Sequence, residues 1–309
     1  IEPKLNFIHM RRRDYLKTVA GTGTIALGGV AGCLGNSGSG DDDLVRFGLT
    51  AVEGDVDTRE QWRPLFEYVE NEADVTVEVN ESSSYSGILQ AFRNDQIDIS
   101  GTPHTIGIMG DRLEVTDVVG LRRAFGTDRE FAFITTLPED DISDISELSG
   151  SEITFADPLS TPGALFPLYM LSQGGLDVGN APDGDPIDFE ASYSDHAVAR
   201  EQLMNRESVK AAGTGSFSVV QHVPSDQLPD RFVENDPAAE SAGSAEPALD
   251  LLAVSEPIPR PPILSRREWD SEKRGPVEQA LLDAPSEAFI SEDAEFPLWF
   301  DGVVTGGIE

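Results

Sequence analysis

Residues 155–164 read FADPLSTPGA, and this stretch carries the strongest indication of the fold. An apolar strand ends at its start, two hydroxyl side chains follow, and Pro162 stands at the first helical position, which favours proline. Ser160 and Thr161 are residue types that cap helices. Free amides and the dipole at a helix N-terminus form an anion site, although an ordinary helix cap is the commoner role of such a segment. The stretch predicts a strand-to-helix turn that can hold an anion.

Alternating strands and helices surround this turn. Apolar alternation predicts strands at residues 45–50, 75–79 and 97–99, and amphipathic spacing predicts helices at residues 58–70 and 84–94 between them. This βαβαβ order implies an α/β protein with a parallel sheet. Further strands are predicted at residues 131–134, 153–155, 209–212 and 251–254, and further helices at residues 162–173, 197–205 and 276–282.

The order of these elements predicts two α/β lobes. We expect the chain to cross into the second lobe near residues 135–139 and to return near residues 250–255. The predicted first lobe holds residues 44–136 and the second holds residues 137–250. Residues 251–309 then return to the first lobe and form the C-terminal segment.

The N-terminal part of the chain has the layout of a secretion signal. A basic run at residues 11–13 precedes an apolar, Gly/Ala-rich stretch at residues 18–29, and Cys33 follows Ala31 and Gly32. A cysteine in this setting resembles the lipobox of lipoproteins, and the paired arginines resemble a Tat signal. We predict a signal peptide over residues 1–33, with an over-long start before Met10, and a flexible linker over residues 34–43. Cys33 would carry lipid at the outer face of the cell membrane; the alternative for a lone cysteine is a small buried apolar residue.

The charge of the chain is strongly acidic. Its 22 Lys and Arg residues face 56 Asp and Glu residues, for a net charge of −34 at pH 7, and beyond residue 33 the lysines are Lys210 and Lys273. This composition resembles that of proteins from extreme halophiles, because concentrated salt screens self-repulsion. Such a surface argues against nucleic acid as a partner and against electrostatic docking on anionic lipid.

Several short motifs, taken together, resemble one protein family. They are the Asp-Pro-x-Ser-Thr-x-Gly segment at 157–163, the Tyr-containing helix at 85–93 with the strand at 97–99, the Ser-Asp-His turn at 194–196 and the Pro-Ile-Pro-Arg-Pro-Pro segment at 257–262. In this order they resemble the substrate-binding proteins of phosphonate, phosphite and phosphate ABC transporters, the PhnD-like family. The resemblance extends over nearly all of residues 45–290.

The resemblance implies a type II periplasmic-binding-protein fold, in which two lobes joined by a hinge close over a ligand in the cleft. It implies no catalytic activity, no metal and no cofactor, an ABC permease with its ATPase as partners, and a monomer. The resemblance implies that Tyr85, Ser160, Thr161, the amides of Gly163 and Ala164, and His196 bind the ligand. We expect Thr50 and Thr102 to be further ligand-binding residues.

The chain departs from the family pattern at three places that concern the ligand. Pro162 stands where the family usually has serine, and Gly101-Thr102 stands where relatives carry an aromatic pair. Relatives that bind aminoalkylphosphonates hold the amine with carboxylates, but residues 209–216 contain none, and Lys210 adds positive charge. We therefore expect a small, amine-free anion such as phosphate, phosphite or a simple phosphonate.

Three alternatives remain from the sequence. The same fold binds other ligands, such as a sulfonate, nitrate or a thiamine-precursor-like molecule. An extracellular hydrolase would need a Ser-His-Asp arrangement, for which Asp195-His196 gives a faint basis, but the Gly-x-Ser-x-Gly and His-Glu-x-x-His motifs are absent from the sequence. A sensor that presents its ligand to a membrane receptor is the third alternative.

Overall fold

The computed structural model describes residues 43–50, 57–124, 126–289, 298 and 300–307. In these ranges the strands, in chain order, are β1 (Leu44–Thr50), β2 (Thr76–Ser82), β3 (Ile99–Gly101), β4 (Thr116–Arg123), β5 (Arg129–Glu130), β6 (Ala132–Thr136), β7 (Glu152–Phe155), β8 (Glu190–Tyr193), β9 (Val209–Gly215), β10 (Asp250–Val254), β11 (Ile258–Pro259), β12 (Pro262–Arg266) and β13 (Gly302–Val304). The α-helices are α1 (Thr58–Ala73), α2 (Tyr85–Arg93), α3 (His104–Arg112), α4 (Phe166–Gln173), α5 (His196–Asn205), α6 (Ser216–Val219), α7 (Asp230–Val233), α8 (Arg274–Asp283) and α9 (Ser286–Phe289).

The first sheet forms as the alternating order predicts. Its strand order is β13-β4-β12-β3-β1-β2, and β1 runs parallel to both β2 and β3, with Phe47 opposite Val79 and Ile99. The returning strand β12 pairs antiparallel with β3 and β4. We call this sheet and its helices the first lobe; its parallel part confirms the prediction, whereas β4, β12 and β13 were not predicted.

The second sheet has the order β10-β6-β9-β7-β8. Strand β7 runs parallel to β8 and β9, and β6 runs antiparallel to β9 and β10. We call this sheet and its helices the second lobe. The two mixed sheets confirm the predicted α/β architecture of two lobes.

The chain crosses between the lobes at a place other than the predicted one. Strand β6, at residues 132–136, and strand β10, at residues 250–254, both pair within the second sheet. The predicted lobe boundaries at 136 and 250 are therefore wrong, because each cuts into or beside a strand of the second lobe. The crossing strands are β5 and β11, which pair with each other, Glu130 opposite Ile258.

Aromatic packing explains why the second lobe takes these strands. Phe131 and Phe133 are fully buried, and their rings lie 5.1 Å and 4.9 Å from the ring of Phe232. Burial of one such side chain contributes roughly 1.5–3 kcal/mol. In the first lobe Phe47 and Trp62 form the equivalent centre, with ring centroids 5.2 Å apart. Each sheet therefore has a core of its own.

The predicted signal peptide, the linker up to residue 42 and Cys33 lie outside the described residues. Among the residues that the structure describes, no helix has the length and apolarity needed to span a bilayer.

Candidate anion-binding site

A small cavity lies where the two lobes face each other. Its volume is about 30 Å³. The first lobe lines it with Tyr85, Gly101, Pro103 and Arg122, the second lobe with Ser160, Pro162, His196 and Phe217, and the crossing region with Glu130 and Pro261. The predicted residues Tyr85, Ser160 and His196 are thus brought together in one cleft.

After β7 the chain forms one turn of π-helix over Thr161–Leu165, and α4 follows directly. Ser160 caps this turn, because its Oγ accepts the Gly163 N–H at 3.1 Å and its carbonyl accepts the Ala164 N–H at 3.1 Å. We predicted the amides of Gly163 and Ala164 as free donors to a ligand, and this expectation is corrected, since both amides bond within the turn. Ser160 lines the cavity, whereas Gly163 and Ala164 are not among the residues that line it.

Gly163 is required by the close approach of a histidine ring. A Cβ at this position would lie 2.5 Å from His196 Cε1 and 2.4 Å from Ala156 Cβ. Such distances are far below van der Waals contact, so any side chain would push His196 away from the turn. The glycine of the motif therefore serves the packing of His196 on Ser160.

His196 begins α5, whose cap is Asp195, and is buried. Its Nδ1 accepts the Gly215 N–H at 3.0 Å, and its Nε2 lies 3.2 Å from Ser160 Oγ. Burial lowers the pKa of His196 to about 3, so the ring is neutral at pH 7. A neutral ring whose Nδ1 is an acceptor carries its proton on Nε2, so His196 donates to Ser160.

The hydroxyl of Ser160 can consequently still donate one hydrogen bond. Its oxygen accepts from the Gly163 N–H and from His196 Nε2–H, which uses both lone pairs. Its own proton is then available to donate, and Ser160 lines the cavity. The turn therefore presents an oriented O–H donor to whatever occupies the cleft.

Tyr85 and Thr161 connect the lobes across the cleft. The backbone N–H of Tyr85 donates to Asp157 Oδ2 at 3.3 Å, and the Thr161 hydroxyl lies 3.4 Å from that of Thr105. Burial raises the pKa of the Tyr85 phenol, which keeps its O–H as a donor. Thr161 was predicted to bind the ligand, but in this structure its hydroxyl faces Thr105 of the opposite lobe.

The other two predicted threonines lie outside the lining of the cavity. The hydroxyls of Thr50 and Thr102 are buried, and neither has a hydrogen-bond partner among the described residues. The carbonyl of Thr102 accepts Arg122 Nη2–H at 3.2 Å. Thr102 thus positions the lining residue Arg122, and Thr50 is the last residue of β1.

Arg122 was missed by the sequence reasoning. It lies on β4, is 4% exposed, and its Nε donates to the Pro261 carbonyl at 3.0 Å. Burial lowers its pKa to about 10, so the guanidinium remains charged at pH 7. Gly101 leaves space for the ring of Trp62, because a Cβ there would lie 2.8 Å from Trp62 Cη2, whereas Arg122 Nη1 would lie at an ordinary contact distance of 3.4 Å. The alternation of β4, which buries Gly120 and Arg122 on one face, is the signal that could have found it.

Glu130 was missed as well. It lies on the crossing strand β5, is 2% exposed, and has no partner for Oε1 among the described residues. Burial raises its pKa to about 7, against the opposing effect of Arg260 and Arg122. Asp236 is buried near Arg260, with Oδ1 and Nη2 3.9 Å apart. Four buried charged groups therefore gather beside the cavity.

The local electrostatics differ from those of the surface as a whole. The cavity combines a fixed positive charge with hydroxyl donors, and the side chains that supply them are buried. Charge-assisted hydrogen bonds in such a site are the stronger kind. An anion can therefore bind here although the chain is acidic overall. Across the described residues, no cluster of His, Cys, Asp and Glu has the composition of a metal site.

Comparison with known proteins agrees with this geometry. Residues 47–304 match the family model described as "ABC transporter, phosphonate, periplasmic substrate-binding protein". The phosphate-import protein PhnD of Mycolicibacterium smegmatis is 21% identical over 159 residues, which are 50% of this chain and 48% of that protein. The chain thus matches about half the length of this curated relative.

Two solved structures show the fold. A binding protein component of an ABC phosphonate transporter from Pseudomonas aeruginosa has a TM-score of 0.59 at 18% identity, covering 80% of this chain and 77% of its own. PhnD1 from Prochlorococcus marinus, in complex with methylphosphonate, has a TM-score of 0.59 at 14% identity, covering 80% and 86%. The predicted periplasmic-binding-protein fold of two lobes is confirmed.

Proposed function

We propose a transport function for this chain, which belongs to the family of periplasmic substrate-binding proteins of phosphonate ABC transporters. In this proposal the chain binds a small phosphorus oxyanion and delivers it to a permease. The observation that carries this proposal is the cavity, in which donors from both lobes face one small volume. Closure of two lobes over a ligand is a hinge motion, and the paired crossing strands β5 and β11 lie where such a hinge is needed.

The donor set suits a tetrahedral oxyanion. Ser160 offers an O–H whose direction is fixed by its two other hydrogen bonds, and Tyr85 offers a phenol that stays protonated. Arg122 supplies a buried positive charge. Together these groups can neutralise and orient an anion without a metal ion.

The size and walls of the cavity favour a compact ligand. About 30 Å³ of the cavity is open to the centre of a water-sized sphere, which suits a small ligand better than one with a long substituent. Pro103, Phe217 and Pro261 form apolar walls, which would suit a hydrogen or a methyl group on phosphorus. Phosphate, phosphite and methylphosphonate fit this description. The similar proteins described above include a phosphate-import protein and a protein in complex with methylphosphonate, which supports the same choice of ligands.

The Ser160–His196 pair supports binding rather than turnover. A serine nucleophile needs a base that accepts its proton, but His196 Nε2 donates to Ser160. Protonation cannot reverse this polarity near neutral pH, because the pKa of His196 is lowered to about 3. We therefore expect no hydrolysis of phosphoester or carboxylic ester substrates.

The location and partners are also part of the proposal. The basic run at residues 11–13, the apolar stretch and Cys33 suit a Tat-exported lipoprotein, held by lipid on the outer face of the cell membrane. The net charge of −34 suits a halophilic setting. The partners are an ABC permease and its ATPase, and the protein acts as a monomer that offers both lobes to them.

Calorimetric titration of the purified protein tests the function. Phosphate, phosphite, methylphosphonate, 2-aminoethylphosphonate and sulfate are titrated in concentrated NaCl, with circular dichroism to show that the protein is folded. Saturable binding of a phosphorus oxyanion, weakened by His196→Ala, is the expected result. Folded protein that binds none of the phosphorus compounds, or that binds 2-aminoethylphosphonate best, would contradict the proposed ligand class.

A further inference from the structure

The cavity contains one feature that a simple anion site would avoid. Among the described residues that line it, Glu130 is the only carboxylate. Its side chain is 2% exposed, and its Oε1 is buried without a hydrogen-bond partner among the described residues. A buried acceptor without a donor is costly, and an acceptor that faces an anion is repelled by it.

A proton between the two groups removes this conflict. Inorganic phosphate still carries an acidic hydroxyl near neutral pH, as hydrogenphosphate, whereas a phosphonate whose second pKa is about 6 carries one in a smaller share of its molecules. Such a hydroxyl can donate to Glu130 while the remaining oxygens accept from Ser160, Tyr85 and Arg122. Sulfate and sulfonates are fully ionised near neutral pH and offer acceptors alone.

We propose that Glu130 accepts a hydrogen bond from the acidic hydroxyl of a singly protonated phosphorus oxyanion, and thereby selects such anions over sulfate and sulfonates. This inference rests on the proposed function and names the chemical class that the same site prefers. Glu130 reaches the cleft from the crossing strand β5, next to Arg260, which is 5% exposed. The carboxylate is therefore held by the structure at the boundary of the lobes.

The charges around Glu130 set the direction of the pH dependence. Burial, which has the largest effect, and Asp236 favour its protonated form, whereas Arg260 after β11 and Arg122 on β4 favour its ionised form. Tyr85 on α2 faces it as a neutral phenol. The pKa of Glu130 is thus raised to about 7. Below that pH Glu130 itself can donate, so the discrimination against sulfate should weaken as the pH falls.

Competition between phosphate and sulfate tests this inference. For the wild-type protein we expect preference for phosphate at about pH 8 that decreases by roughly tenfold or more toward pH 6. Glu130→Gln removes the charge, and its amide can donate to sulfate, so the preference should fall by a similar factor and lose its pH dependence. The matched control is Asp236→Asn, which neutralises the neighbouring buried carboxylate outside the cavity lining. At about pH 8, where Glu130 is ionised in both proteins, it should leave the preference unchanged.

The outcomes separate this inference from the function on which it rests. If folded wild-type protein binds no phosphorus oxyanion, the proposed function fails. If it binds phosphate but Glu130→Gln keeps the wild-type preference over sulfate, or Asp236→Asn lowers it equally, the role of Glu130 is wrong and the function stands. Should Glu130→Gln fail to fold, a wild-type preference that is constant between about pH 6 and 8 would likewise overturn the inference.

Discussion

His196 Nε2 lies 3.2 Å from Ser160 Oγ, while His196 Nδ1 accepts the Gly215 N–H at 3.0 Å. The backbone amide fixes the tautomer of the ring, so the histidine is the donor in this pair. Ser160 is thereby left with its own proton to donate to the cleft. This relationship between two side chains orients the Ser160 hydroxyl and leaves His196 without a free acceptor nitrogen on the side of Ser160.

Ser160→Ala should weaken anion binding by about tenfold or more, because it removes a donor to a charged ligand. It should also lower the free energy of unfolding by about 1 kcal/mol, through loss of the helix cap. Asp57→Ala is the control, since Asp57 caps α1 away from the cavity. It should cost similar stability and leave the affinity unchanged. Equal affinities of Ser160→Ala and wild type in calorimetry would refute the role of Ser160.

The ring of His196 should remain neutral across the range in which histidines usually titrate, about pH 5 to 8. Its folded-state pKa is lowered from 6.5 to about 3, so the unfolded chain takes up the proton first. The stability contributed by the neutral ring is therefore complete above pH 6.5 and is lost as the pH falls toward 3. NMR of the ring carbons, assigned with His196→Gln, measures the titration. A midpoint near 6.5 would contradict the buried, neutral ring.

Asp157→Asn should favour the open arrangement of the lobes. Asp157 Oδ2 accepts the Tyr85 N–H across the cleft at 3.3 Å, and Oδ1 accepts the Leu159 N–H within its own turn. Asparagine keeps the turn and loses the acceptor between the lobes. We expect a several-fold weaker affinity and a larger radius of gyration in small-angle scattering, because the closed state is less populated.

Asp177→Asn is the control for this change, because exposed Asp177 holds a similar turn through the Gly179 N–H. It should alter neither the affinity nor the scattering. A scattering profile of Asp157→Asn identical to that of the wild type would indicate that the contact between Tyr85 and Asp157 does not affect closure.

Arg122→Gln should weaken anion binding by roughly a hundredfold, because a buried positive charge is lost from the cleft. The affinity of Arg122→Lys should lie between those of the wild type and Arg122→Gln. Lysine keeps the charge but not the planar group that bonds the Pro261 and Thr102 carbonyls. Arg123→Gln is a close control: it removes the same charge from the next position of β4, where the side chain is 40% exposed and pairs with Asp301. If both glutamine variants lose affinity equally, long-range charge rather than a specific contact is responsible.

Much of the local structure follows from the residues alone. The parallel pairing of β1 with β2 and β3, the strand that ends at Phe155 and the serine at the following helix start were all predictable from apolar alternation and capping chemistry. The convergence of Tyr85 and His196 on this helix start came instead from family resemblance, since spacing along the chain does not bring distant residues together.

The sequence by itself determined two α/β lobes and an oriented hydroxyl at the start of a helix, because these depend on neighbouring residues. The tertiary structure decided which lobe takes residues 132–136, and it placed Arg122 and Glu130 in the cleft. Arg122 is held by carbonyls at positions 102 and 261, and the latter is far from it along the chain. Long-range strand pairing and aromatic packing fix such positions, and local propensities do not encode them.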